Sequence, residues 1–192
     1  MKTIGVVLAG GLSSRMLEDK AELIWKQKSL LEHTEQLLKD AGCFEVLASN
    51  NNSNNNYPNH IQDRYPQSGP LAGIDACLAH TLEHFTAASS MLIMPVDMPL
   101  MSQTLLTHLI EQSEQGKATY YSLGRFPLIL PVSLRLSQFL KETLDTHQSG
   151  KGVSIKQLLF QFESKVLSID KEQQPAFFNC NTPQQWRSLF TK

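Results

Sequence analysis

Cysteine is scarce in this chain: there are three, at Cys43, Cys77 and Cys180, with no Cys-x-x-Cys pair among them. An odd and scattered set excludes a disulfide framework and a zinc knuckle. Cys43 and Cys77 read as small apolar packing residues. Long apolar runs are missing too, and Met1-Lys2-Thr3-Ile4-Gly5-Val6 leads into a strand rather than an apolar leader. The expectation is a cytoplasmic chain with no membrane partner. Nor is there an excess of charge of one sign: 17 basic residues stand against 18 acidic ones, which gives no footprint for nucleic acid. His33, His60, His80, His84, His108 and His147 are scattered. His80 and His84 fall at i, i+4, but no Glu follows His80 as a zinc-protease helix requires, so the histidines read as surface residues. No Ser-His or Cys-His arrangement marks a covalent nucleophile, and Trp25 and Trp186 read as packing residues.

What the chain does contain is alternation. Its 192 residues, 41% hydrophobic, fit one domain over 1–192 with a sheet buried between helix layers. Apolar runs at Ile4 to Leu8, Leu23 to Trp25, Phe44 to Ala48, His60 to Gln62, Met91 to Val96 and Lys165 to Ile169 read as strands. Between them, helical spacing places Leu30, Leu31, Thr34, Leu37 and Leu38 on one face after an N-cap at Ser29, with Gly42 as the stop. Leu71, Ile74, Leu78 and Leu82 form a second face after Pro70, which suits a first helical turn. Leu105, Leu106, Leu109 and Ile110 form a third after Ser102. Further helical segments run over 134–144 and 153–162, and Thr182-Pro183 opens a last helix bearing Trp186 and Leu189. The pattern predicts an α/β fold with a mostly parallel sheet covered on both faces. Thr119 to Leu123 and Phe126 to Leu130, hinged at Gly124, add an antiparallel pair. Asn50 to Asn56 reads as a solvated loop, and Gly150-Lys151-Gly152 as punctuation.

Two stretches carry chemistry. In Leu8-Ala9-Gly10-Gly11-Leu12-Ser13-Ser14-Arg15, a buried strand ends in a turn whose glycines let backbone N–H groups approach an anion. Arg15, and Lys20 after a short spacer, add positive charge where phosphates would lie. The stretch is neither a P-loop, lacking Gly-Lys-Ser/Thr, nor a Gly-x-Gly-x-x-Gly dinucleotide turn. The second stretch delivers Asp97 at the carboxyl end of a central strand, where open α/β sheets bind ligands.

Four segments in order resemble the molybdenum cofactor guanylyltransferases, within the nucleotidyltransferases. They are Leu8 to Gly11 through Arg15-Met16 and Asp19-Lys20; Asp63-Arg64-Tyr65 with Gly69-Pro70-Leu71-Ala72-Gly73-Ile74; Pro95-Val96-Asp97-Met98-Pro99; and Asn179-Cys180-Asn181-Thr182-Pro183. The resemblance implies a Rossmann-like three-layer fold that transfers GMP from GTP to a molybdopterin-type cofactor, releasing pyrophosphate with Mg²⁺ required. Leu8, Ala9, Gly10 and Gly11 would line the GTP site together with Ser49, Gly69, Pro70, Leu71 and Gly73. Lys20 would meet the phosphates, Asp63 the nucleoside and Asp97 the metal. Arg15, Lys20 and Asp97 would serve catalysis, and Asn179 and Asn181 would lie toward the acceptor. Beyond GTP and the pterin cofactor, transient contact with cofactor-inserting proteins or molybdoenzymes is expected.

The chain departs from the family pattern at Leu17, where glycine is usual, at Ser49 and Asn51, which match the strand-end spacing loosely, and at Phe126, which reads as core. A nucleotidyltransferase using CTP or a sugar-phosphate acceptor, and a lapsed nucleotide-binding module, fit the same residues. Retention of Arg15, Lys20 and Asp97 together disfavours the lapsed module.

Overall fold

The computed structural model describes residues 2–10, 19–50, 59–65, 68–146 and 154–190. The strand Thr3–Leu8 (β1) lies inside the sheet and is buried along its whole length. Parallel to it run Glu45–Ser49 (β4) on one side and Ser90–Pro95 (β6) on the other. His60–Ile61 (β5) extends the sheet beyond β4, again in parallel. Past β6 come Leu128–Pro131 (β8), Ala118–Tyr121 (β7) and Ser164–Leu167 (β9). The order is β5-β4-β1-β6-β8-β7-β9, and β8 runs against its neighbours β6 and β7. The expected α/β class, mostly parallel with an antiparallel pair, is borne out.

Strand alternation builds a core on each face of this sheet, because successive side chains point to opposite sides. Ile4, Val6, Leu8, Leu47, Met91 and Ile93 pack toward one face. That face is covered by Pro70–His84 (α2), Leu134–Thr146 (α4) and Ile155–Gln161 (α5). Val7, Val46, Ala48, Leu92 and Met94 pack toward the other, covered by Leu30–Asp40 (α1), Gln103–Glu111 (α3) and residues of Pro183–Ser188 (α6). Gly5 is needed where α1 crosses β1: a Cβ there would stand 3.1 Å from Leu38 Cβ and 3.0 Å from Val46 Cγ2. Helix starts follow the expected caps. Ser29 and Glu32 form a reciprocal capping box, and Ser102 and Thr182 each accept an N–H from their helix's first turn.

Four features differ from the sequence reading. Ile24–Trp25 (β2) pairs with an unforeseen strand, Lys28–Ser29 (β3), through a tight turn in which Lys26 (φ 48°) and Gln27 (φ 70°) are both left-handed. Asn and Gly usually mark such turns, and neither is present here. Lys20–Glu22 and Lys171–Phe177 form 3₁₀ helices. Asn50 is buried rather than solvated, because its N–H continues the strand pairing to the Ile61 carbonyl at 3.3 Å. His33, His60 and His80 are half-buried, and burial lowers the pKa of each. Residues 51–56, His147 and Gly150 to Gly152 lie outside the described residues. Phe126 packs against both cores.

Candidate active site

Parallel pairing in register brings three strand ends to one edge. Leu8 is partnered by Ser49 of β4 and by Pro95 of β6. With strands about 4.8 Å apart, these three ends fall within roughly 10 Å. The chain passes from β1 to β4 on one side and later to β6 on the other, so β1 sits where the winding reverses. A crevice at the carboxyl ends of the strands is expected there. The Val96 N–H donates to the Leu8 carbonyl at 3.3 Å, which carries Asp97 to the mouth of the first strand.

The N–H groups of Ala9 and Gly10 both donate to the Ser49 carbonyl, at 3.0 and 3.1 Å. These two amides stitch β1 to β4 and are occupied. Neither is therefore left as a backbone donor for an anion. Gly11, Arg15 and Leu17 lie outside the described residues.

After that stretch Asp19 caps a 3₁₀ turn, its carboxylate accepting the Ala21 N–H at 3.0 Å, and the turn places Lys20. The Lys20 ammonium lies 3.4 Å from Asp97 Oδ2 and donates to Asn181 Oδ1 at 2.7 Å. Asn181 Nδ2 in turn donates to Asn179 Oδ1 at 2.9 Å. The returning chain is tied down by the Cys180 N–H, which donates to the Asp97 carbonyl at 2.7 Å. Cys180 is buried, and burial raises its thiol pKa, so it is a packing residue like Cys43 and Cys77. Lys20, Asp97, Asn179 and Asn181, far apart in sequence, thus share one constellation.

Asp97 is mostly buried, and desolvation pushes its carboxyl pKa up while the neighbouring Lys20 pulls it down. Its second oxygen, Oδ1, is buried and hydrogen-bonds none of the described residues. A lone, dry carboxylate oxygen beside a lysine suits a hard cation that completes its shell with water and phosphate oxygens. No group of three or more His, Cys, Asp or Glu among the described residues could cage a metal by itself.

A second corner forms beside β4. The Ser49 hydroxyl donates to Asp63 Oδ1 at 2.5 Å, and both residues are buried. The next two residues are anchored separately: Arg64 donates to both oxygens of Asp75, at 2.7 to 3.0 Å, and the Tyr65 hydroxyl to Asp145 at 2.7 Å. The sequence reading missed these anchors. Asp75 offered a signal, being an acid inside the apolar run Leu71 to Leu78, which needs a partner when buried. Gly69 (φ 72°) and Pro70 are exposed at the start of α2. Leu71 and Gly73 face inward instead, and Gly73 rests on Ser49 and Leu8, where any Cβ would collide.

The constellation offers a cationic donor, a carboxylate with an unused oxygen, and the side-chain amides of Asn179 and Asn181 beside the C-terminal edge of a parallel sheet. That set suits binding of a phosphorylated ligand with a divalent ion. The sequence profile of the MobA-like NTP transferase domain matches residues 5–161. The molybdenum cofactor guanylyltransferase of Xanthomonas euvesicatoria pv. vesicatoria (strain 85-10) is 35% identical over 189 residues, covering 96% of this chain and 93% of that protein. The protein of the same name from Rhizobium meliloti (strain 1021) is 30% identical over 194 residues, covering 95% and 88%. Among solved structures, molybdopterin-guanine dinucleotide biosynthesis protein A from Archaeoglobus fulgidus superposes with a TM-score of 0.73 at 20% identity, covering 96% of this chain and 95% of that one.

Proposed function

The chain belongs to the MobA-like NTP transferase family, and from that membership we propose that it transfers GMP from GTP to a molybdopterin-type cofactor. The products are the guanine dinucleotide form of the cofactor and pyrophosphate. The acceptor's phosphate oxygen attacks the α-phosphorus of GTP, and the bond from that phosphorus to the oxygen bridging the β-phosphate breaks. Two anions must meet, and negative charge grows on the departing pyrophosphate, so the chain's task is to orient and to neutralise.

The observation that carries this reading is the meeting of Lys20 with Asp97 at the paired ends of β1 and β6. Lys20 is the described side chain that can offset charge on the triphosphate. Asp97, through its unused Oδ1, would hold a magnesium ion, which when bound supplies further neutralisation of phosphate oxygens. Asp63, fixed by Ser49, stands on the nucleoside side, and Asn179 and Asn181 face the acceptor. Leu8, Ala9 and Gly10 shape the floor, with Gly69 and Pro70 at its rim. Gly11 and Arg15 would complete the phosphate loop.

Calorimetric titration with GTP, CTP and ATP, with and without Mg²⁺, tests the assignment. The expected result is tightest binding of GTP, strengthened by Mg²⁺. Preference for CTP would replace the guanylyl assignment with a cytidylyl one. Tight GTP binding with no pyrophosphate released on adding molybdopterin would mark a lapsed module.

A further inference from the structure

We infer that Asn181 is a positioning residue for Lys20, and so acts on the nucleotide half of the site as well as the acceptor half; this rests on the nucleotidyl-transfer reading above. A lysine ammonium is a point charge on a flexible stem, and its direction must come from its acceptors. Of the two acceptors seen, the neutral amide is the nearer: Nζ stands 2.7 Å from Asn181 Oδ1 but 3.4 Å from Asp97 Oδ2. An ammonium only donates, so the Asn181 oxygen must face it and the Asn181 amide nitrogen must face Asn179, as the 2.9 Å contact there shows.

Asn181 is exposed, but its backbone and both neighbours are tied down. Its N–H donates to Gln185 Oε1 at 2.8 Å, the preceding Cys180 N–H is fixed to the Asp97 carbonyl, and the following Thr182 caps α6. The whole C-terminal turn is therefore a bracket whose free end grips Lys20. The ammonium has three donors. Among the described residues Asp97 and Asn181 engage two of them, which leaves the third for a phosphate oxygen.

A double-mutant cycle tests this in the full-length protein, with GTP and Mg²⁺ and no acceptor present. Asn181→Ala should weaken GTP binding by about five- to tenfold, the scale of one ordinary hydrogen bond. In a Lys20→Met background the same substitution should change affinity less than about twofold, because its route of action is gone. Unchanged GTP affinity in Asn181→Ala would make Asn181 an acceptor-side residue only and overturn the inference. Equal weakening in both backgrounds would overturn it as well, since the effect would then run through the fold. Far-UV circular dichroism checks folding, and Asn181→Ser, too short to reach the ammonium, repeats the measurement if the alanine variant misfolds. If the wild-type chain binds CTP in place of GTP, the base assignment falls while the cycle, run with CTP, still decides on Asn181. Binding of no nucleotide would end both.

Discussion

Asp97 and Lys20 show how much of the candidate site a sequence can point to residue by residue, since the two side chains meet in the structure. Each stands at an element end that composition marks well: an apolar run stopping at Pro95-Val96-Asp97, and a glycine turn followed by spaced basic residues. Replacing either with alanine should lower turnover by about 10²–10³-fold with the fold intact, the scale seen when a single electrostatic group is removed; pyrophosphate release checks it. That Asp75 needs a partner was legible from its apolar surroundings, but which partner was not, because Arg64 lies outside its helix and local pattern carries no pairing information. Asp75 has no exposed side-chain surface while Arg64 is half exposed. Arg64→Ala therefore strands a dry carboxylate and should cost about 3 kcal/mol of stability. Burial already raises the Asp75 pKa, opposed by Arg64, and the variant raises it further. The native state then takes up a proton at higher pH than the unfolded chain, so stability falls as pH rises through that window. The deficit should be largest near neutral pH and shrink on acidification. Urea unfolding at about pH 8 and about pH 5.5 measures it.

At the scale of elements, helix starts and the positions of turns were readable, while the pairing that a tight turn closes was not. Ser29, Ser102 and Thr182 declare themselves because a hydroxyl before an apolar periodicity has one dominant use. A turn at Lys26-Gln27-Lys28 is readable after the strand ending at Trp25, but the hairpin it closes is not, because Lys26 and Gln27 adopt left-handed backbone without the Asn or Gly that usually signals it. The cap supplies a clean control. Ser29→Ala removes the hydroxyl that accepts the Glu32 N–H and should cost about 1 kcal/mol in thermal or urea unfolding, leaving nucleotide affinity unchanged. Gly73→Ala should behave differently. Its Cβ would press within 3.0 Å of Leu8 Cδ2 and collide with the Ser49 side chain, lifting α2 from the strand ends and disturbing the Ser49–Asp63 contact. A loss of about 1–3 kcal/mol is expected, together with a raised KM for GTP. A loss of stability without any change in KM would separate α2 packing from the nucleotide side.

For the whole molecule, alternating strands and helices were enough to read an α/β sheet with two covered faces, but not the strand order. Placement of β8 between β6 and β7 depends on pairings across long separations, such as Met91 with Leu130, to which local periodicity is blind. The same long-range pairing makes the active edge: Leu8, Ser49 and Pro95 meet only because β4 and β6 flank β1 in register. A fold that winds both ways from its first strand opens a crevice at the strand ends, and Lys20 and Asp97 meet there, where the proposed function places the triphosphate. The most direct measurement is acceptor-dependent pyrophosphate release from GTP by the wild-type, Lys20→Ala and Asp97→Ala proteins, each at saturating Mg²⁺. Release by the wild type alone, with both variants folded yet slowed by about two to three orders of magnitude, is the expected result. Near-wild-type release by either variant would contradict a shared site at the ends of β1 and β6.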